Sequence, residues 1–316
     1  MSAHGYMIDA WDFSSGSPKQ LCDFGTFTPN CWYHCQRTDE KLPAWLASIG
    51  VSHELIQAIV AEDTRPRFQK VGEESFFMIL RGVNLNPGAE PDDMLTLGLL
   101  YHQGSLITLR RRQFRAILSL RESLEKGEGP ESVADLFVCI LELLNARISD
   151  VLHLTETFID DVEDQIDSLN RSQQQELTQM HRRLLKLNRF LRPQTAALDA
   201  LAQANLPLLT HASQRLLNQK DTAQAISETI TSYLDYIWVL REHMQQALSE
   251  AMNRNSYWLS MVAGVFLPLG FLTGLFGINI AGMPGTDDPT AFALFCAGLG
   301  LLGAIEYLLF RRLKFL

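Results

Sequence analysis

The stretch Ser256-Tyr-Trp-Leu-Ser-Met-Val-Ala-Gly-Val-Phe-Leu-Pro-Leu-Gly-Phe-Leu-Thr-Gly-Leu-Phe-Gly-Ile278 runs for 23 residues without a charged side chain. A helix of that length crosses a hydrocarbon core of about 30 Å. A second run, Thr290–Leu309, follows and carries a single acid, Glu306. Between them, Asn279–Pro289 holds Asp287 and Asp288 and no Lys or Arg. Arg254 precedes the first run, and Arg311, Arg312 and Lys314 follow the second. Basic residues collect on the cytoplasmic side of spans. The pattern therefore predicts a multi-pass membrane domain over 256–316: a first span at about 256–278, an outer loop at 279–289 and a second span at about 290–310. Both chain ends lie in the cytoplasm. A buried hairpin in a soluble protein is the competing reading, and this charge asymmetry speaks against it.

The first span continues a longer helix. From Thr222 to Gly277 the only proline is Pro268, and no glycine occurs before Gly264. One helix of roughly 85 Å is expected. Ile226, Ile230, Tyr233, Ile237, Leu240, Met244, Ala247 and Ala251 alternate by four and three, the spacing of a face that packs on other helices. Counting by sevens along another face gives Glu228, Asp235, Glu242, Ser249, Ser256, Ala263, Gly270 and Gly277. Beside it run Ser232, Val239, Gln246, Asn253, Ser260, Leu267 and Gly274. The stripe is acidic below the membrane and small or polar within it. Below the membrane a solvated face explains it. Inside a bilayer, polar positions must line water or meet a neighbour. Lining a pore is one reading; close helix packing through Gly270-x-x-x-Gly274 is the other. Two spans cannot enclose a pore, so the first reading requires a ring of like subunits.

Residues 1–131 read as a cytoplasmic α/β domain, and 132–255 as a helical cytoplasmic stalk. Cys31–Cys35, Phe76–Arg81, Leu95–Tyr101 and Ser105–Arg110 are predicted strands, with Gln103-Gly104 as a hairpin turn. Leu42–Gly50 and Ser52–Glu62 are predicted helices, the second with Ser52 as its N-cap. Helix Ser132–Leu169 ends in Asp150–Asn170, which holds seven acids and no Lys or Arg. Helix Gln173–Arg192 carries His181, Arg182, Arg183, Lys186, Arg189 and Arg192. A charge-complementary antiparallel hairpin explains both; an acidic surface that gathers cations is the functional alternative.

The formal net charge of −9 argues against nucleic acid, whose phosphates need Lys and Arg in excess. No phosphate-loop motif is present, so no nucleotide is expected as a power source, and no enzymatic activity either. The five cysteines show no disulfide spacing, which fits reduced thiols in the cytoplasm. The N-terminal segment has neither the basic nor the apolar region of a secretory signal.

Several side chains could take a metal or a proton. Cys31-Trp-Tyr-His34-Cys35 suits zinc in residue type, but on a strand His34 faces away from the two cysteines. His153, Glu156 and Asp160 share a helix face, and His243 lies beside Glu242. Glu306 is the one acid within a span; an ion pair to Arg254 or Arg311 is its plain reading and a proton relay the other.

The tripeptide Gly277-Ile278-Asn279 ends the stripe, where a helix closed by a left-handed glycine is expected. Free carbonyls and an Asn amide there could hold a hydrated cation. In Tyr257–Gly285, above all Pro268-Leu-Gly-Phe-Leu-Thr-Gly-Leu-Phe-Gly-Ile-Asn-Ile-Ala-Gly-Met-Pro-Gly285, the sequence resembles the CorA metal-ion transporter family. That family carries Gly-Met-Asn followed shortly by Met-Pro-Glu. Here Ile278 replaces the methionine and Gly285 the glutamate, as in the branch of the family associated with zinc. The resemblance implies a homopentamer with a cytoplasmic funnel, in a bacterial inner membrane among lipid. It implies an outer cation site at Gly277, Ile278 and Asn279, and a pore lined by Asn253, Ser256, Ser260, Ala263, Leu267, Gly270 and Gly274. It also implies proton-coupled uptake of Zn2+, with Cd2+, Ni2+ and Co2+ as further cargo and no tightly bound cofactor. The lost loop glutamate leaves Asp287 and Asp288 as the acids at the mouth. A magnesium or cobalt channel of the same architecture is the alternative within the family. A membrane-anchored coiled-coil scaffold or sensor is the alternative outside it, and would keep Leu and Ile along the stripe.

Overall fold

Strand segments that are apolar on both faces require cover on both sides, and Phe76-Phe-Met-Ile-Leu80 is buried at every position. The structure, a computed structural model, describes residues 5–22, 26–62, 65–165, 171–278, 285 and 288–312. The chain forms two compact units, Met1–Leu240 and Arg241–Leu316.

Among the described residues of the first unit, seven strands make one sheet: β1 (Met7–Asp12), β2 (Lys19–Gln20), β3 (Cys31–Gln36), β4 (Arg67–Lys70), β5 (Phe76–Gly82), β6 (Leu95–His102) and β7 (Ser105–Arg110). Their order is β2-β1-β3-β7-β6-β5-β4. The central pair β3–β7 is parallel, with Trp32 opposite Leu106 and Gln36 opposite Arg110. The remaining neighbours are antiparallel. Gln103 and Gly104 turn β6 into β7 with φ of 47° and 81°, the two positive values that match the twist of a tight hairpin.

One face of the sheet presents Cys31, Tyr33, Cys35, Phe77, Ile79, Ile107 and Leu109 to α1 (Leu42–Ser48) and α2 (His53–Val60). Ser52 caps α2, its hydroxyl accepting from the Leu55 amide at 3.4 Å. The other face, with Trp32, Phe76, Met78, Leu80, Leu97 and Leu99, meets α3 (Arg115–Glu125) and α4 (Val133–Asp164). α5 (Arg171–Gln203) and the start of α6 (Ser213–Phe276) extend that core through Leu198, Leu201, Leu216 and Ala223. Phe76 is fully buried against Phe137 of α4, ring centres 5.4 Å apart; truncating such a ring costs about 3–5 kcal/mol.

Three sequence expectations need correction. Helix α5 does not stop at Arg192: it runs through Pro193. A proline removes one backbone donor and strains the preceding turn, but the following turns bury Ala197, Leu198 and Leu201. The Gln194 side chain also accepts from the Arg81 amide at 2.7 Å, and together these hold the helix. Second, among the described residues Arg183 and Lys186 of α5 do not pair with the acids of α4. Arg183 and Lys186 pair with Glu90, Asp92 and Asp93 of the loop before β6, with Arg183–Glu90 and Lys186–Asp92 at 2.7 Å. Third, the described structure adds β1, β2, β4 and α3 to the elements expected from the sequence. β1 runs through Asp9, a buried acid whose charge is met by Arg121 of α3 at 2.5 Å and by Gln20 at 2.9 Å.

Candidate functional site

The second unit carries the two apolar helices, the end of α6 and α7 (Ala291–Arg312). Both are long and apolar enough to cross a membrane. They run antiparallel: the rings of Phe276 and Phe295 lie 4.9 Å apart, while Gly264 sits against Phe310. On α6 the half-buried positions Met261, Val265, Leu269 and Leu272 recur at helical spacing. On α7 the matching stripe is Phe295, Leu299, Leu302, Gly303, Glu306 and Phe310. These are the faces the two helices turn to each other.

The small and polar positions of α6 lie elsewhere. Asn253, Ser256, Ser260, Ala263, Leu267, Gly270 and Gly274 are all exposed within the single chain. A Cβ built on Gly270 or Gly274 meets nothing within 4 Å. A Cβ on Gly264 would stand 3.0 Å from Cζ of Phe310. Close packing between the two spans of one chain therefore falls on Gly264, not on the Gly270-x-x-x-Gly274 pair singled out from the sequence.

α6 ends at Phe276, and Gly277 donates to the carbonyl of Gly274 at 3.2 Å. Gly277 is not among the left-handed residues. Its Cβ would lie 2.9 Å from the carbonyl oxygen of Thr273, so steric crowding rather than a positive φ makes glycine the fitting residue. Ile278 is exposed. Asn279 and Asp287, expected at the outer site and mouth, lie outside the described residues. Asp288 is engaged at the start of α7: its Oδ1 accepts from the Thr290 amide at 2.8 Å and hydroxyl at 2.7 Å. Those hydrogen bonds hold its carboxyl below the usual carboxylate range.

Glu306 does not form the expected ion pair to Arg254 or Arg311; among the described residues its Oε2 is buried without a hydrogen-bond partner. Its place on the half-buried face of α7 turned to α6 accounts for this. A polar atom so placed calls for an explanation.

Ahead of the apolar stretch of α6, Glu228, Asp235, Glu242 and His243 are exposed, on the side away from the buried Ile226, Ile230, Ile237 and Leu240. Beside this helix, His153 approaches Glu156 of α4 at 3.4 Å on the surface. Glu156 and Asp160 also raise the Tyr233 phenol, after burial as the larger cause. One turn on, a hydrogen bond to Glu163 pushes Tyr236 up to about 12. The acids of α4 thus meet tyrosines of α6. His34 sits on the sheet face opposite Cys31 and Cys35, with Nδ1 2.7 Å from the Thr108 hydroxyl. Among the described residues no group of three or more His, Cys, Asp or Glu side chains could hold a metal.

A family model described as "CorA-like Mg2+ transporter protein" matches residues 29–312. The zinc transport protein ZntB of Vibrio parahaemolyticus is 35% identical over 314 residues, covering 98% of each chain. The divalent cation transporter CmaX of Pseudomonas aeruginosa is 34% identical over 289 residues, 90% of this chain and 87% of its own. The structure of full-length CmaX superposes with a TM-score of 0.86 at 30% identity, over 99% of both chains.

Proposed function

Because the chain belongs to the CorA-like Mg2+ transporter family, we propose that it carries divalent cations, zinc above all, through a pore lined by α6 in a ring of identical subunits. The observation that carries this reading is the separation of faces on α6. Met261, Val265, Leu269 and Leu272 turn to α7, while Ser256, Ser260, Gly270 and Gly274 are left open. Hydroxyls and bare backbone suit water and hydrated cations better than lipid. A pentamer, implied by the resemblance, supplies the ring that two spans alone cannot close.

In that ring, Asn253, Ser256, Ser260, Ala263, Leu267, Gly270 and Gly274 face the axis. Gly277, Ile278 and Asn279 form the outer cation site, and Glu228, Asp235 and Glu242 draw cations toward the cytoplasmic opening. The absence of thiolate or imidazole along the stripe favours passage of hydrated or oxygen-bound metal over tight coordination. Zinc is chosen over magnesium because the first relative described above is a zinc transport protein and because Ile278 stands where magnesium carriers of the family have methionine. Uptake is coupled to protons, with Glu306 as the group within the membrane able to take one. The membrane is a bacterial inner membrane, with both chain ends in the cytoplasm.

The test is metal flux into liposomes holding the purified protein, with zinc and magnesium compared and a proton gradient imposed or removed. Zinc entry that grows with an inward proton gradient is the expected result. No zinc flux under any gradient would defeat the transport reading; zinc flux indifferent to the gradient would remove only the coupling.

A further inference from the structure

The first unit has a basic crevice that cation transport does not use. β3 and β7 are parallel, and β5 is antiparallel to β6, which is antiparallel to β7. Three strands therefore deliver their carboxyl ends to one edge of the sheet. The register places Arg81 opposite Thr96, Leu97 opposite Arg110, and Arg110 opposite Gln36 along that edge.

A cavity of about 520 Å³ opens there. Arg37 enters it from the end of β3, Arg81 from β5, Arg111 and Arg112 from the end of β7, and Lys186 and Arg189 from α5. Three acids share the cavity: Glu62, Asp92 and Asp93. Asp92 and Asp93 are taken up by Lys186, at 2.7 Å and 3.8 Å, and Glu62 stands 3.8 Å from Arg111. Among the described residues no carboxylate pairs with Arg112 or Arg189. Among the described residues, six cations against three acids leave a local excess of three, in a chain whose net charge is −9. Arg37 is 8% exposed and donates to the Ala61 carbonyl; burial, then the nearby Arg111, lowers its guanidinium pKa. Holding like charges together in a partly desolvated cleft is unfavourable unless an anion joins them.

We propose that this crevice binds a small, multiply charged phosphate compound, a diphosphate or its ester. Arginine forks fit phosphate oxygens in pairs, and the volume leaves room for an organic group beyond the phosphates. The compound acts as a cytoplasmic ligand rather than a fuel, since no phosphate-loop motif accompanies it.

The test is calorimetric titration of the full chain in detergent, with chelator present and salt held near the physiological level. Pyrophosphate, ADP, inorganic phosphate and citrate are the titrants. Pyrophosphate or ADP should bind saturably, and inorganic phosphate and citrate more weakly. Comparing pyrophosphate with ADP shows whether the ligand is inorganic or an ester. Arg112→Gln and Arg189→Gln, both at exposed positions, should each weaken binding about tenfold, as expected for one lost charged hydrogen bond. Arg241→Gln, outside the crevice, should leave it unchanged. On the unaltered chain, pyrophosphate should slow hydrogen exchange at Arg37–Asp39 and Arg111–Arg112. Absence of saturable binding, equal or tighter binding of citrate, insensitivity to both crevice variants, or an equal loss in Arg241→Gln would each overturn the proposal.

Discussion

Replacing Gly270 or Gly274 by alanine separates the two readings of the stripe on α6. Glycine inside a helix is less favourable than alanine by about 0.8–1.0 kcal/mol. At both positions the added methyl meets nothing within 4 Å in the single chain, so no intrachain clash offsets that gain. If the face lines a water-filled pore, each variant is as stable as the parent or more so, by up to ~1 kcal/mol per subunit. Zinc flux nevertheless falls, because every subunit adds a methyl to the same narrow ring. Gly264→Ala gives the contrast: its methyl would lie 3.0 Å from Phe310, so it perturbs the α6–α7 contact and lowers stability. Thermal unfolding in detergent and zinc flux into liposomes measure the two quantities on the same preparations. If Gly270→Ala or Gly274→Ala destabilised by more than ~1 kcal/mol with flux per folded protein unchanged, the face would be a packing surface and the pore assignment would be wrong.

Asn279→Ala should cut zinc uptake roughly tenfold, the equivalent of one lost hydrogen bond to a hydrated ion; unchanged uptake would remove Asn279 from the outer site. Glu306→Gln should abolish the dependence of zinc uptake on the proton gradient while leaving the protein folded, since no ion pair is lost among the described residues; retained coupling would exclude it as the proton carrier. Arg121→Ala should destabilise the first unit by about 3–5 kcal/mol, because it strands the buried Asp9 carboxylate; a loss under 1 kcal/mol would mean that Gln20 and solvent suffice. Burial, with Arg110 and Arg121 nearby, holds the His34 pKa well below its ordinary 6.5. The unfolded chain therefore takes up a proton first, and stability falls as pH drops below ~6.5, by at most ~1.4 kcal/mol per pH unit for one group. Unfolding of His34→Gln across the same range should show a shallower slope; an equal slope would assign the effect to other groups.

Much of this fold can be read locally. β3, β5, β6 and β7 declare themselves as apolar runs, and Gln103-Gly104 marks the turn joining the last two. Ser52 and Ser132 mark helix starts because a cap needs only the next turn to act. β1 hides because its alternation is broken by Asp9, and the residue that makes that acid tolerable is 112 positions away. Pro193 looks like a stop because the packing that overrides it comes from the sheet and α6. The same division holds at the site. The polar stripe is legible because it belongs to one helix and needs only counting. The orientation of Glu306 is not, since it follows from how α6 and α7 are paired. Nor is the reason for Gly277, which is a clash with the Thr273 carbonyl rather than a left-handed turn. The basic crevice escapes a linear reading because its arginines come from three strand ends and a distant helix. The Arg110-Arg111-Arg112 triplet at the end of a strand was its only local trace.

The open face of α6 has a consequence for the lifetime of the protein in a cell. A chain that has been inserted but has not found its companions presents serine hydroxyls and uncovered glycine positions to lipid, where no water reaches the hydroxyls and no neighbour packs on the glycines. Membrane surveillance proteases could distinguish such an orphan from an assembled copy by that face alone. Steady-state abundance would then follow the rate of association rather than the rate of synthesis, and surplus copies would be cleared before they could leak ions.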